Sequence, residues 1–195
     1  DRGIGTMSED QISELEQSPY PYVVKIQGKV KELIAQHRSS IFDTWLEQDK
    51  VSCLPNYALP AVISPTAFTS MVPKSLYTAE EDMNEYEFKV VWALSELGNV
   101  KWWHRNISRL GFQINGPVHA YPDIIVMLRS GKILMVETKG DHLDNDESKE
   151  KAKIGDQWAK LAGKQYKYYM VFETKQPDYP GAYSLERFME IVNGL

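Results

Sequence analysis

Cysteine is nearly missing from this sequence, and its scarcity excludes two kinds of site. The single Cys53 rules out a disulfide within the chain, and no Cys and His residues stand at zinc-binding spacing. Long apolar runs are missing too, since none approaches the ~18 residues of a membrane-spanning helix. The N-terminal residues lack the basic-then-apolar pattern of a secretory signal. We therefore expect a cytoplasmic protein that does not enter a membrane.

A surplus of basic residues is also lacking. The 195 residues include 22 Lys and Arg against 27 Asp and Glu, which gives a formal net charge of −5. Proteins that bind nucleic acid unaided usually carry a positive net charge. The basic residues are instead gathered over 101–109 and 149–167, whereas acids dominate the first quarter of the chain and 141–150. Either the acidic parts face away from a bound polyanion, or another domain supplies most of the binding.

The periodicity of an α/β protein, in contrast, is present. Apolar residues recur at helical intervals over 23–48, whereas four prolines over 51–76 predict an irregular connector. The order that follows is a helix, a run of strands, a helix, a strand and a helix, which implies a mixed sheet flanked by helices. The predicted segments are a helix capped by Thr78 and Glu81 that ends near Gly98, strands over 100–107, 112–114, 124–128, 132–138 and 168–173, and helices over 147–163 and 185–192.

The predicted strands 124–128 and 132–138 are joined by a short loop and are apolar on both faces. Charged residues appear only at their ends. Strand alternation projects Glu137 and Lys139 to the same face. A two-residue turn would place Asp123 opposite Thr138, on the other face, whereas a three-residue loop would place it opposite Glu137. We predict the three-residue loop, 129–131, with its glycine in the left-handed region, because this register gathers three charges that would otherwise be buried separately.

A cluster of Asp123, Glu137 and Lys139 suits the hydrolysis of phosphodiester bonds. Two carboxylates one strand spacing apart repel each other unless a divalent cation lies between them. A few carboxylate oxygens, with waters retained, suit Mg²⁺ better than Zn²⁺, and Mn²⁺ can substitute. The cation would polarise a phosphoryl oxygen and acidify a bound water, while Lys139 would orient that water and offset developing charge. The backbone carbonyl of Thr138 is a further candidate ligand.

Several neighbours are candidates for metal or DNA contacts, each with a plainer alternative. One of Glu85 and Glu87 could add a metal ligand, although acids also favour a helix N-terminus for electrostatic reasons alone. Residues 102–106 mix basic side chains with tryptophans, as some nucleic-acid grooves do. Lys149, Lys153 and Gln157 recur at four-residue intervals on one helix face and could contact DNA phosphate. Such tryptophans are more often core, and such stripes are usually solvated surface. The candidate DNA contacts are His104, Arg105, Lys149, Lys153 and Gln157.

Longer stretches carry more information than the three charged residues alone. They are Val100-Lys101-Trp102-Trp103-His104-Arg105-Asn106, Gly111-Phe112, Tyr121-Pro122-Asp123 and Val136-Glu137-Thr138-Lys139-Gly140-Asp141-His142-Leu143-Asp144. Together they resemble the C-terminal endonuclease region of the Res subunits of type III restriction enzymes. Later residues fit the same pattern, namely Gly155, Trp158, Ala162-Gly163 and 168–173. The resemblance covers roughly residues 75–173.

The resemblance implies a nuclease of the PD-(D/E)XK class that acts on double-stranded DNA. Its fold would be restriction-endonuclease-like, an α/β mixed sheet flanked by helices with an N-terminal helical segment. The acidic roles fall to Asp123 and Glu137 and the lysine role to Lys139. We accordingly predict a helical linker or connector over 1–74 and an endonuclease domain over 75–195.

The resemblance also implies partners. In that family the Res subunit couples the nuclease to an ATP-driven, helicase-like motor, and the methyltransferase Mod subunit reads the DNA sequence. No Gly-x-x-x-x-Gly-Lys-Ser/Thr loop occurs here, so we expect ATP to bind a motor outside this chain. A start at Asp1 rather than Met fits the expectation of a segment. The alternatives are a stand-alone repair or junction-resolving nuclease of the same fold, and a non-catalytic DNA-binding module that kept the fold.

Overall fold

The computed structural model describes residues 8, 10, 12, 13, 16, 18, 20–65, 67 and 71–195. It forms two compact units, Asp1–Val51 and Ser52–Leu195. Across the described ranges, no helix combines the length and apolar character needed to cross a membrane. The sequence of residues 8–18 predicts a loose helical or disordered lead-in, and five of these eleven residues lie outside the described set.

The first unit contains helix α1, Tyr20–Glu47, which confirms the helix predicted over 23–48. Its apolar residues recur at three- and four-residue intervals, as in Val23, Ile26, Val30 and Leu33. None of the 28 residues of α1 is buried, and these four side chains are exposed. The periodicity therefore identifies the helix correctly, although it does not mark a buried face.

The second unit carries the predicted α/β pattern. Most of its segments lie within two residues of the predicted ends. They are α2 (Glu85–Glu96), β1 (Val100–Arg105), β2 (Ile124–Leu128), β3 (Ile133–Lys139), a 3₁₀ turn (Asp141–Leu143), α3 (Asp146–Ala162), β4 (Tyr166–Phe172), β5 (Ala182–Ser184) and α4 (Leu185–Asn193).

The five strands form one mixed sheet in the order β1-β2-β3-β4-β5. The pairs β1–β2 and β2–β3 are antiparallel, whereas the pairs β3–β4 and β4–β5 are parallel. A crossover through α3 joins the parallel pair β3 and β4, as parallel strands require. The predicted mixed sheet flanked by helices, with an N-terminal helix, is confirmed.

A hydrophobic core joins α2 and α4 to one face of the sheet. Val90 and Leu94 of α2 and Phe188 of α4 are fully buried there against Trp103 and Val126 of the sheet. On the other side, α3 packs on β4. Helices therefore cover both faces of the sheet.

Residues 52–74 belong to the second unit, which therefore begins earlier than the predicted domain over 75–195. The Trp103 indole donates to the Pro73 carbonyl at 2.9 Å, and Ser75 forms a parallel bridge with Trp103. The ring of Tyr57 packs edge-on against Phe112. Part of the predicted connector thus covers the edge and face of the sheet.

Two local predictions were wrong. Helix α2 is capped by Asn84 rather than by Thr78 and Glu81: the Asn84 side chain accepts from the Glu87 amide, and the Glu87 carboxylate accepts from the Asn84 amide. Asn84 and Glu87 have the same three-residue spacing as Thr78 and Glu81, and they lie closer to the apolar residues that repeat along α2. The strand predicted over 112–114 is an isolated bridge between Ile114 and Ala120. Strand β5 has three residues, too few to show an alternating pattern.

Candidate active site

The loop between β2 and β3 determines which side chains meet at the end of the sheet. Ile124 pairs with Val136, and Met127 pairs with Ile133. The loop spans 129–131, and Gly131 has a φ of +85°, in the left-handed region. The three-residue loop is therefore confirmed. Continuing the register by one residue places Asp123 opposite Glu137, as predicted.

Asp123 lies just before β2, and Thr138 of the neighbouring strand holds its carboxylate. The Thr138 amide donates to Oδ2 of Asp123 at 2.7 Å, and the Thr138 hydroxyl donates to the same oxygen at 2.9 Å. Burial raises the pKa of Asp123 and the charge of Glu137 adds to the rise, whereas Arg105 and the Thr138 hydrogen bonds oppose it. The Asp123 side chain is 22% exposed, so the carboxylate keeps some access to solvent.

Glu137 is the most deeply buried member of the cluster, with 3% of its surface exposed. Its Oε1 lies 2.6 Å from the Lys139 ammonium, and the Tyr168 hydroxyl donates to its Oε2 at 2.7 Å. Burial and the charge of Glu137 raise the pKa of Tyr168, which keeps the phenol protonated and able to donate. The two carboxylate oxygens of Glu137 are thus held from two directions.

Arg105 connects the pair of carboxylates to helix α2. Its Nη1 donates to the Asp123 carbonyl at 2.9 Å and lies 3.5 Å from Oδ1 of Asp123, while Nη2 donates to Oε1 of Glu87 at 2.9 Å. The second oxygen of Glu87 caps α2 through Asn84. Burial raises the pKa of Glu87, and Arg105 opposes that rise. Both Glu87 oxygens are engaged, and Glu85 is exposed at the helix start.

His104 lies inside the second unit, with 3% of its surface exposed. Its Nδ1 is 2.8 Å from Oε2 of Glu80, and its ring packs edge-on against Tyr77. Glu80 also accepts from the Arg105 amide and the Ser75 hydroxyl, so it joins the residues before α2 to β1. This position gives the His104 ring a structural role and no surface for DNA.

Helix α3 presents Lys151 to the carboxylates. Burial lowers the pKa of Lys151, but the hydrogen bond to Glu147 and the charges of Glu137, Glu147 and Asp123 outweigh burial and raise it. The Lys151 side chain is 21% exposed and pairs with Glu147 at 2.8 Å. At ~100° per residue, the predicted stripe lies on the other side of the helix. That stripe is Lys149, Lys153 and Gln157, of which both lysines are exposed.

The donor set fits a small divalent cation that retains waters. Within the part of the chain that the structure describes, no three or more His, Cys, Asp and Glu side chains form a metal-holding group. Two carboxylates, those of Asp123 and Glu137, lie at paired positions. Mg²⁺ commonly uses one or two protein carboxylates and completes its octahedron with water and substrate oxygens. The Thr138 carbonyl, the further candidate ligand, lies in β3 between Glu137 and Lys139.

Sequence reasoning missed two residues of this site. Tyr168 stands in an apolar strand, and nothing in that run distinguishes a tyrosine that reaches a carboxylate. Lys151 had one signal in the sequence, because it lies four residues after Glu147, the spacing of an ion pair on a helix. Comparison of the chain with models of protein families, with curated proteins and with solved structures gives no match.

Proposed function

We propose that this chain carries a magnesium-dependent endonuclease domain of the PD-(D/E)XK class, which hydrolyses phosphodiester bonds of double-stranded DNA. The observation that carries the proposal is the meeting of Asp123 and Glu137 at adjacent strand ends, with Lys139 at 2.6 Å from Glu137. Two carboxylates with an adjacent ammonium match the charges needed to bind a metal and activate water. The antiparallel β1-β2-β3 unit, followed by α3 and a parallel β4, supports a restriction-endonuclease-like fold.

Each side chain of the site has a role that follows from its position. Asp123 and Glu137 would hold Mg²⁺, which when bound polarises the phosphoryl oxygen and makes water a stronger acid. Thr138 fixes the Asp123 carboxylate through two hydrogen bonds. Lys139 would orient the attacking water and offset charge on the phosphate. Arg105 neutralises the carboxylates from the β1 side, and Lys151 adds positive charge from α3.

The resemblance to type III restriction enzymes leads us to propose the partners. Sequence reading would come from a Mod methyltransferase subunit, and translocation from an ATP-driven motor. The net charge of −5 supports this division, because phosphate contacts dominate affinity for DNA and an acidic chain makes few of them unaided.

The test combines metal binding with cleavage. Calorimetry should detect Mn²⁺ binding to the wild-type chain, and Asp123→Asn and Glu137→Gln should weaken it and eliminate cleavage by the full assembly. Mg²⁺ and Mn²⁺ should support cleavage, whereas Ca²⁺, with more and longer oxygen contacts, should not. Glu85→Gln, at an exposed position, is the matched control. Unchanged Mn²⁺ affinity in both site variants would overturn the ligand assignment.

A further inference from the structure

Tyr168 reaches Glu137 along one face of two parallel strands. In the register of β3 and β4, Tyr168 lies beside Met135, and Glu137 lies beside Met170. Alternation therefore puts the side chains of Tyr168 and Glu137 on the same face, one same-face position apart along the strands. The phenol bridges that step and donates to Oε2 of Glu137 at 2.7 Å.

The bridge is fully enclosed. Tyr168 is 4% exposed and Glu137 is 3% exposed, so neither group exchanges this hydrogen bond for one to bulk water. The Lys139 ammonium sits on the other oxygen, Oε1, at 2.6 Å. Donors on both oxygens fix the plane of the carboxylate, and each oxygen retains a further lone pair for a cation. Loss of either donor would leave a buried carboxylate oxygen without a hydrogen bond, which destabilises the folded state.

Helix α3 leaves room for the Tyr168 ring at a single glycine. A Cβ built on Gly155 would overlap Cγ, Cδ1 and Cε1 of that ring. Glycine in the middle of a helix costs about 1 kcal/mol relative to alanine, so its use here calls for a packing reason. The ring lies against the bare backbone of α3 at Gly155, and this contact sets the position of the hydroxyl.

We propose that Tyr168 is a positioning residue that orients the Glu137 carboxylate for the metal ion, and that Gly155 makes this position possible. The inference rests on the proposed metal-dependent function and deepens it. Partners that hydrogen-bond a metal ligand typically change metal affinity by about 10–100-fold when they are removed. Tyr168 acts through Glu137 and makes no contact with substrate in this scheme.

The decisive measurement is Mn²⁺ binding by calorimetry to the 195-residue chain, without DNA. Tyr168→Phe should bind Mn²⁺ about tenfold more weakly than wild type, with an unchanged near-ultraviolet circular dichroism spectrum. Tyr169→Phe is the matched control, because Tyr169 is the next residue of β4 and packs against Phe188 on the opposite face. Its Mn²⁺ affinity should stay within about twofold of wild type.

Gly155→Ala gives an independent route to the same end, because it keeps the hydroxyl but displaces the ring. Gly155→Ala should also weaken Mn²⁺ binding. The double variant with Tyr168→Phe should bind Mn²⁺ as well as the single variant that binds less tightly, because both changes remove the same hydrogen bond. Gly28→Ala controls for helix propensity, because an added Cβ there meets nothing within 4 Å.

The outcomes separate the two proposals. Wild-type binding with undiminished affinity in Tyr168→Phe would overturn the positioning role and leave the nuclease proposal standing. No Mn²⁺ binding by the wild-type chain would overturn the metal chemistry itself, and the role of Tyr168 with it. A selective loss in Tyr168→Phe and Gly155→Ala would support both.

Discussion

Lys139 and Glu137 face each other with little access to water, so removal of one leaves the other buried without its charge partner. Their charged groups lie 2.6 Å apart, and the Lys139 side chain is 16% exposed. The pair is therefore less exposed than a surface ion pair and more exposed than a fully buried one. Breaking such a pair costs more than the pair itself contributes, because the remaining charge is desolvated and uncompensated. The two residues therefore link the proposed chemistry to the stability of the sheet end.

Lys139→Ala should lower cleavage by the full assembly by about 10²-fold or more, because the ammonium proposed to offset transition-state charge would be lost. The fold should persist, since strand packing rests on Leu134, Met135 and Val136, but the free energy of unfolding should fall by about 1–3 kcal/mol. Urea unfolding and plasmid cleavage measure the two effects. Glu137→Gln in the same chain should restore stability without activity. Normal cleavage by Lys139→Ala would show the site assignment to be wrong.

The pH dependence of stability should reveal the buried Asp123. Its pKa is raised in the folded protein, so the folded state binds this proton more tightly than the unfolded state. The resulting stabilisation is complete below the unfolded pKa and disappears as pH rises through the folded value. Asp123→Asn, which cannot ionise, should therefore be more stable than wild type at neutral pH and lose that advantage in acid. Thermal unfolding between acid and neutral pH, without divalent metal, checks this.

At the scale of elements, the β2–β3 hairpin is the part of the site that sequence reasoning captured best. Asp123 meets Glu137 because three loop residues separate the strands. The sequence indicated this loop because its left-handed position favours glycine and because this register gathers the buried charges. Strand alternation and turn chemistry act over a few residues, so they can be read locally.

Gly131→Ala should destabilise the chain by about 1–2 kcal/mol, because alanine pays a steric cost at a φ of +85°. An added Cβ there meets nothing within 4 Å, so the loss reports the backbone alone. Gly131→Asn should lose less, since asparagine tolerates the left-handed region. Denaturant unfolding of the three proteins measures the difference. Equal stability of all three would mean that the loop does not hold the register.

The face of α3 that meets the carboxylates was harder to predict. Helical spacing drew attention to the stripe of Lys149, Lys153 and Gln157, which lies on the other side of α3 from Lys151. Lys151, at 21% side-chain exposure, is half-buried, and the fields of Asp123 and Glu137 reach it. Which stripe faces a sheet end depends on how the helix docks, and that is decided by contacts such as Gly155 with Tyr168. Those contacts are distant in the sequence.

Lys151→Ala should therefore reduce cleavage about tenfold, because a cation beside the proposed phosphate position is lost. Lys149→Ala is the matched control from the other side of α3. Its side chain is 53% exposed and lies 4.0 Å from Asp146, so its removal should leave the cleavage rate near that of wild type. Rates at saturating DNA measure the effect. A larger loss in Lys149→Ala than in Lys151→Ala would return the DNA-contacting role to the predicted stripe.

At the scale of the whole molecule, the sequence pattern predicted the mixed sheet flanked by helices. It did not predict which side chains distant in the sequence contact each other. The order of helices and strands implied a mixed sheet, and the structure has one. The buried pair of His104 with Glu80 was out of reach, because the two residues are 24 positions apart and a basic, aromatic stretch resembles a DNA-binding surface. Buried hydrogen-bonded pairs of this kind depend on tertiary packing, which a single sequence does not display.

The charge of the whole chain predicts that it will be a weak and non-specific nuclease by itself. With a net charge of −5, it should bind DNA poorly at physiological salt, and the lysines on α3 can contact only a short stretch of phosphates. No helix-turn-helix or zinc-finger pattern in the sequence offers a way to read base edges. The test is to incubate the purified chain with plasmid and Mg²⁺, then to repeat the reaction with intact Res and Mod subunits and ATP. Weak random nicking by the chain, with positioned cutting by the assembly, is the expected result. Site-positioned cutting by the chain alone would favour a stand-alone nuclease, because recognition would then have to come from these 195 residues.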